Sequence, residues 1–413
     1  MTKKIQILAT AAALIALTFS SCKKEDQEMP SSQSSTNTPD FSEGGLNPDE
    51  LALTSSASAA TERHSRGGYI YTESNATSQN EILCFRQHAD GSLTLKATVA
   101  SGGTGIGAGP LNLGLDSQGA LALSENNEWL FAVNAGDNSI SSFKVHNDGS
   151  ITLANTVSSG GTLPSSLCIH HHILYVLNNG SSTINGYMVG AGGTMTAIPG
   201  SNLPLSSNMA DAAQISFSPS GDYLYVTERM TNMITSFDVD ATGLATLNTS
   251  IASTGNTPFG FCHARDNFMV VSNANVTAPG VPVPNGSSCT SYGGSNSGNL
   301  NDQNGAVANH QSASCWVATT GFGRFAYVTN TGSNTISSYY VSPWGSIYLV
   351  HGAATGTGMA PKDITVAPDN YYVYAINSGE QTIGGYHRAL LGDLDLVGTT
   401  PNVPLYAAGL VSW

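Results

Sequence analysis

The sequence predicts an all-β fold: a seven-bladed β-propeller of four-stranded blades, closed by its own C-terminal strand. Three observations predict it. Strand–turn–strand units recur along the chain, spaced by roughly 50 residues. A short, apolar segment rich in small residues precedes every unit but the first. One further segment of that kind ends the chain with no unit after it.

The clearest unit is RFAYVTNTGSNTISSYYVSPWGSIYLV, Arg324–Val350. Phe325, Tyr327 and Thr329 alternate with Ala326 and Val328, the period-two pattern of a strand. Asn330, Gly332, Ser333 and Asn334 supply turn chemistry, a second strand starts at Ile336, and Trp344-Gly345 turns it into a third. One such unit cannot bury both faces of its sheet, so it implies neighbours of its own kind. In chain order these are Tyr69–Leu93, Trp129–Ile151, Ile173–Met195, Tyr223–Leu244 and a unit begun at Phe268. The Phe268 unit resumes at Cys289 after a Pro/Gly-rich insertion, Ala274–Ser288, and Tyr372–Leu394 follows the Arg324 unit.

The segments between units are the expected innermost strands. They are Gly119–Ser124, Ser166–His171, Ala212–Ser218 and Pro258–Ala264, then Ser314–Thr320, Lys362–Ala367 and Ala407–Trp413. The last has no unit after it and the unit at Tyr69 has no segment before it, so the two should share a blade. Closing the ring this way hides strand edges that would template aggregation.

Upstream of the propeller the chain changes character. Residues 1–21 carry Lys3 and Lys4, then an apolar run from Ile5 to Phe19, ending in Ser20-Ser21 before Cys22. This reads as a secretory signal, and small residues just before a cysteine resemble a bacterial lipobox, in which the cysteine is acylated. The Lys-Lys-Glu-Asp-Gln-Glu after Cys22 resembles the acidic tag of surface-exposed lipoproteins. Residues 22–66 are polar and poor in large apolar groups, a flexible tether. Residues 67–413 form the propeller. The expected location is outside the cytoplasm, lipid-anchored at the outer membrane and facing outward, with the anchor as the only membrane contact.

Composition excludes several classes. Net charge is −14, and −16 once Lys3 and Lys4 leave with the signal, so there is no electrostatic footprint for nucleic acid. Apart from Cys22 the cysteines are Cys84, Cys168, Cys262, Cys289 and Cys315, with no CxxC or zinc spacing; they read as buried thiols. There is no GxSxG elbow, Walker loop or HExxH. His170-His171-His172 falls at a turn on the far end of the strands with no acidic partner implied, and reads as a plain turn. No cofactor or metal is expected, and the chain is expected to be a monomer.

Strand alternation gathers the starts of inner strands and the turns after second strands on one face. Near the axis this places Gln118, Gln214 and Asp363, with Ser166, Phe259, Ser314 and Lys362. Around them come Glu73, Asn134, Asn178 and Glu228, then Asn273, Asn330 and Asn377. His310 and Gln311 reach the same face. These polar groups are the candidate ligand-binding set.

Tyr327-Val328-Thr329-Asn330, Ser314-Cys315-Trp316-Val317 and the SQGALALS of Ser117–Ser124 resemble the seven-bladed lactonase-like propellers. That family includes propeller-type 6-phosphogluconolactonase and carboxymuconate-lactonizing enzyme, and the resemblance covers about Tyr69 to Trp413. It implies a metal-independent lactonase with a glutamate after a second strand, and Glu228, followed by Arg229, occupies that place. The family's arginine and histidine places hold Ala213 and Gln214, and a further histidine place falls on Ser165 or Ser166. Loss of those cations favours binding over catalysis. The expected partner is a small lactone or glycan, or a surface protein, held at the axial face.

Overall fold

The computed structural model describes residues 67–109, 114–265, 267–278 and 280–413. The expected signal (1–21), the tether (22–66) and Cys22 lie outside the described residues.

Seven antiparallel sheets follow one another, each ordered from an inner strand through second and third strands to an outer one. The inner strands are Leu121–Leu123, Pro164–His170, Ala212–Phe217, Pro258–Ala264, Ser314–Thr319, Pro361–Val366 and Ala408–Ser412. The last pairs with Tyr69–Glu73, Tyr71 lying opposite Val411, so the C-terminal strand completes the first blade as expected. Blades are numbered from this one, and blade 2 starts at Leu121. Blade 3 departs from four strands: Met195–Ala197 and Leu203–Pro204 both pair with Thr183–Val189, an outer strand broken in two. In blade 5 the insertion folds as a hairpin of its own, Val276–Ala278 against Val281–Pro282.

Burial decreases outward along each sheet. Second strands such as Phe325–Asn330 and Tyr372–Asn377 are buried at every residue, whereas the outer strand Ile151–Ser158 is largely exposed. Both faces of a second strand meet a neighbouring blade, so residues of either parity are apolar. In blade 6, Phe325 and Tyr327 pack with Val373 and Tyr386 of blade 7. Its opposite face, Ala326 and Val328, packs with Val270 and Cys289 of blade 5. All five cysteines among the described residues are unpaired, and four are buried.

Hydroxyls fasten blade to blade. Tyr71 donates to the carbonyl of Gly149 at 2.9 Å, Tyr175 to Gly243 at 2.8 Å, and Tyr225 to Ser295 at 3.0 Å. Tyr374 of blade 7 donates to Gly91 of blade 1 at 2.8 Å, carrying the pattern across the closure. Gly149 sits at φ 74° against the Tyr69 ring, where a Cβ would collide.

Candidate functional site

The site is built where second strands end. Each ends on an asparagine or a glutamate: Glu73, Asn134, Asn178, Glu228, Asn273, Asn330 and Asn377. The sequence places these on an open face, but none is more than 1% exposed. They are clasps that hold the following turn. Asn134 donates to Ser139 and Ser141 at 3.0 and 2.9 Å, Asn273 to Ser288 and Thr290 at 3.1 and 3.0 Å, and Asn330 to Thr335 and Ser337 at 2.9 and 2.8 Å. Asn377 donates to Thr382 at 3.2 Å and Asn178 to the Ser159 carbonyl at 3.1 Å. Glu73 accepts from Asn80. Glu228 accepts from Thr231 at 2.7 Å, Thr235 at 2.5 Å, the Ser206 amide at 3.2 Å and the Ser206 hydroxyl. Each of these side chains is buried and makes hydrogen bonds within the fold, and none lines the pocket described next.

In four of the blades the residue after the clasp faces the axial pocket, because one step along a strand reverses the side. Asn179, Arg229, Ala274 and Thr331 all line one pocket of about 750 Å³. Opposite each lies the residue just before the inner strand of the same blade: Leu163, Asp211, Thr257 and Ala313, all with positive φ (54°, 47°, 58° and 53°). Their carbonyls accept the amides of Asn179, Arg229, Ala274 and Thr331 at 3.0, 3.2, 3.0 and 2.9 Å. These four also line the pocket. A left-handed conformation is costly for Leu, Thr and Ala, so strain is concentrated around the mouth.

Aromatic rings form the floor. Phe259 and Trp316 pack at a tilt of 59° with centroids 4.9 Å apart, and Trp316 Nε1 donates to the Ser117 carbonyl at 2.8 Å. Two glutamines tie blades together beside them. Gln118 of blade 2 donates Nε2 to the Val317 carbonyl of blade 6 at 2.8 Å and accepts the Val317 amide at 2.9 Å. Gln214 bridges blades 4 and 5 in the same manner, through Phe261 at 3.0 and 2.6 Å. Both glutamines are thus structural ties rather than ligand-facing groups. The blade 5 hairpin contributes Val276, Thr277 and Pro282 to one wall.

The polar wall joins Arg229 and Lys362, both expected at this face, to Asp116, Asp211 and Asn179, which the sequence did not single out. Arg229 donates Nη1 to Asp116 at 2.6 Å, Nη2 to Asp211 at 2.7 Å and Nε to the Asp211 carbonyl at 3.1 Å, and lies 5.0 Å above the Phe259 ring. Burial works against its charge, but the two carboxylates outweigh it and hold Arg229 above its ordinary range. Asn179 braces Asp211 at 3.3 Å and accepts the Ala212 amide at 2.8 Å. Lys362 closes the wall; burial lowers its pKa, opposed by Asp116 and Asp363. Asp363, also expected at the axial face, is 3% exposed and does not line the pocket, and burial pushes its carboxyl up to about 7. Glu73 is held well above the carboxylate range, first by burial and further by Asp363. Ser165, 2% exposed, lines the pocket with a hydroxyl that has no partner among the described residues. The Cys315 thiol lines it too, but burial raises its pKa, so it is not a ready nucleophile. His310 is exposed, and Gln311 accepts from Thr335 at 2.9 Å; neither lines the pocket.

Seven blades, the closure and a walled axial pocket narrow the possible relatives. The family described as lactonase, 7-bladed beta-propeller, matches residues 61–198 and 170–278, together more than half of the chain. The chain belongs to this lactonase propeller family. No curated protein matches it. Among solved structures it is similar to the periplasmic gluconolactonase PpgL of Pseudomonas aeruginosa, at 14% identity and TM-score 0.65, covering 84% of this chain and 99% of that one. It is also similar to a Bacteroides fragilis protein provisionally assigned as a 6-phosphogluconolactonase, at 16% identity and TM-score 0.64, over 84% and 98% of the two chains. A Lactobacillus plantarum protein aligns at 17% identity and TM-score 0.67, over 84% and 100%. At such identities the likeness shows the fold alone. Within this lactonase propeller, Arg229 and Lys362 put two cations at the pocket although Ala213 and Gln214 stand in the family's cationic places.

Proposed function

We propose that the axial pocket binds a compact, neutral, hydroxyl-rich ring such as a sugar or a sugar lactone. The observation that carries this reading is one wall of fixed charged groups, Arg229, Asp116, Asp211 and Lys362, beside an aromatic floor of Phe259 and Trp316. Aromatic rings receive the apolar face of a sugar, while paired charges offer donors and acceptors to its hydroxyls. Among the described lining residues two carboxylates balance two cations, which disfavours a phosphosugar. The unpartnered Ser165 hydroxyl supplies one further contact.

Lactone hydrolysis is the second reading, favoured by Lys362 and Arg229 standing at the pocket. A water would attack the lactone carbonyl carbon and pass a proton to Asp116. The ring C–O bond then breaks, and the leaving alkoxide takes the proton back. Lys362 would stabilise the oxyanion in between.

Calorimetric titration with aldonolactones, muconolactones and neutral monosaccharides tests the binding. Saturable binding that Lys362→Met and Ser165→Ala weaken is expected; no saturation by any member would sink it. Acid release in a pH-stat tests hydrolysis, with Lys362→Met expected to cost about 10²-fold or more in rate.

We further propose, from the lipobox-like Ser20-Ser21-Cys22, that the chain is exported and anchored through Cys22 at the outer membrane, facing outward. Fatty-acid labelling should tag the natural chain and not Cys22→Ala. Equal labelling of the two would refute the anchor.

A further inference from the structure

The far end of the strands, away from the axial pocket, holds a cluster that the sequence reads as a plain turn without an acidic partner. The structure supplies that partner. Glu125, in the hairpin between the inner and second strands of blade 2, meets His170 Nδ1 through Oε1 at 2.8 Å and His171 Nδ1 through Oε2 at 2.9 Å. His170 ends the inner strand of blade 3, and His171 begins its turn.

Adjacent residues of an extended strand point to opposite sides. Here His171 takes φ 52°, a left-handed conformation uncommon for a side-chain-bearing residue, and its ring lies 4.2 Å from the His170 ring, centroid to centroid. The strained turn therefore aims two imidazole nitrogens at one carboxylate. The three ligand atoms lie within 4.8 Å of one another. His170 is backed by the Phe217 ring at 5.7 Å and by Gly221, where a Cβ would strike the imidazole. That packing fixes the ring before any ligand arrives, as effective metal sites require. Beside the cluster lies a recess of about 410 Å³, lined by Glu125, His171, His172 and Trp129, with room for further ligands.

We propose that Glu125, His170 and His171 form a binding site for a divalent transition cation of the zinc class. Two imidazoles and a carboxylate make a borderline-soft donor set suited to zinc, nickel or copper rather than calcium or magnesium. Water or His172 completes the coordination from the recess. The site joins blades 2 and 3, so the cation also ties two blades together. It is independent of the axial pocket, and its test does not depend on any activity there.

Zinc chloride is titrated into the purified chain by calorimetry, alongside Glu125→Gln and His171→Asn. Asparagine tolerates the left-handed turn, so His171→Asn preserves the backbone; its thermal midpoint without metal verifies the fold. The natural chain is expected to bind one zinc per chain and to melt higher with zinc present. Glu125→Gln and His171→Asn should each lose at least about tenfold in affinity and show a smaller zinc-induced shift. Binding unchanged in both variants, or no binding by the natural chain, overturns the proposal. Calcium should not compete; if calcium displaces zinc at equal concentration, the donor-set argument fails.

Discussion

Arg229 and Asp116 join two blades that are not neighbours: Nη1 of blade 4 meets the carboxylate leading into blade 2 at 2.6 Å, at the pocket wall. Asp211 takes the other arm of the same fork at 2.7 Å. Lysine carries the charge but not the planar fork, so it cannot reproduce both forked contacts.

Arg229→Gln is therefore expected to lower stability by about 1–3 kcal/mol, because two partly exposed carboxylates lose their charged partner. Arg229→Lys should retain part of that stability. Urea unfolding of the three proteins measures the order, and a glutamine variant as stable as the natural chain would contradict the pairing.

Glu228 makes the opposite prediction from the one its family place suggests. Its carboxylate is fully buried and accepts four hydrogen bonds from Ser206, Thr231 and Thr235. Glu228→Gln turns one acceptor into a donor facing groups that already donate. A loss of about 1–3 kcal/mol is expected, with ligand affinity at the pocket unchanged. Unfolding and binding measured on one preparation separate the two roles. Lost turnover or binding at full stability would restore Glu228 to the site.

Much of the fold was legible because each blade repeats the same burial problem. Pro258–Ala264 was read to the residue, and the closure followed from an unmatched strand at each end. Arg229, Lys362 and Phe259 were placed at the pocket, but the recurring polar set was placed one position away from it. Asn178, Glu228 and Asn330 are polar and recur, so they draw the eye, but the fold consumes them. Asn179, Arg229 and Thr331 face the axis and share no residue type. Period two makes a one-residue slip a change of side. Asp116, and the role of Gln118 as a tie across the ring, were beyond reach for another reason. Their partners Arg229 and Val317 lie 113 and 199 positions away, and no local pattern encodes a contact across a ring.

The closure carries its own prediction. Ala408–Ser412 is the inner strand of blade 1, and Tyr374 fastens blade 7 to Gly91 beside it. Deleting residues 405–413 exposes the edge of Tyr69–Glu73 and opens the apolar cluster that includes Leu410. Insoluble protein or a greatly lowered thermal midpoint is expected. Tyr374→Phe, which removes one buried hydrogen bond, should cost only about 1–2 kcal/mol. A truncated chain that melts like the full one would argue that the ring does not need its last strand.

Asp363 sets a pH dependence. Burial raises its carboxyl to about 7, with Lys362 opposing the rise and Asp116 adding to it. Its Oδ2 has no hydrogen-bond partner among the described residues. In the unfolded chain the carboxyl titrates near about 4. Between these values the folded state holds the proton and the unfolded state does not. Stability from this group is thus complete below about pH 4 and falls as pH rises towards 7. Glu73, held up partly by Asp363, slopes the same way. His263 slopes oppositely: burial keeps it neutral down to about 4, so its contribution falls as pH drops below its ordinary value. The bare pH profile therefore mixes opposing trends, whereas the difference between the natural chain and Asp363→Asn cancels the His263 part. That difference should move by a few kcal/mol in favour of Asp363→Asn as pH rises from about 4 to 8. Urea midpoints for both proteins across that range measure it. A difference that stays flat would mean that Asp363 ionises in the fold as it does in water.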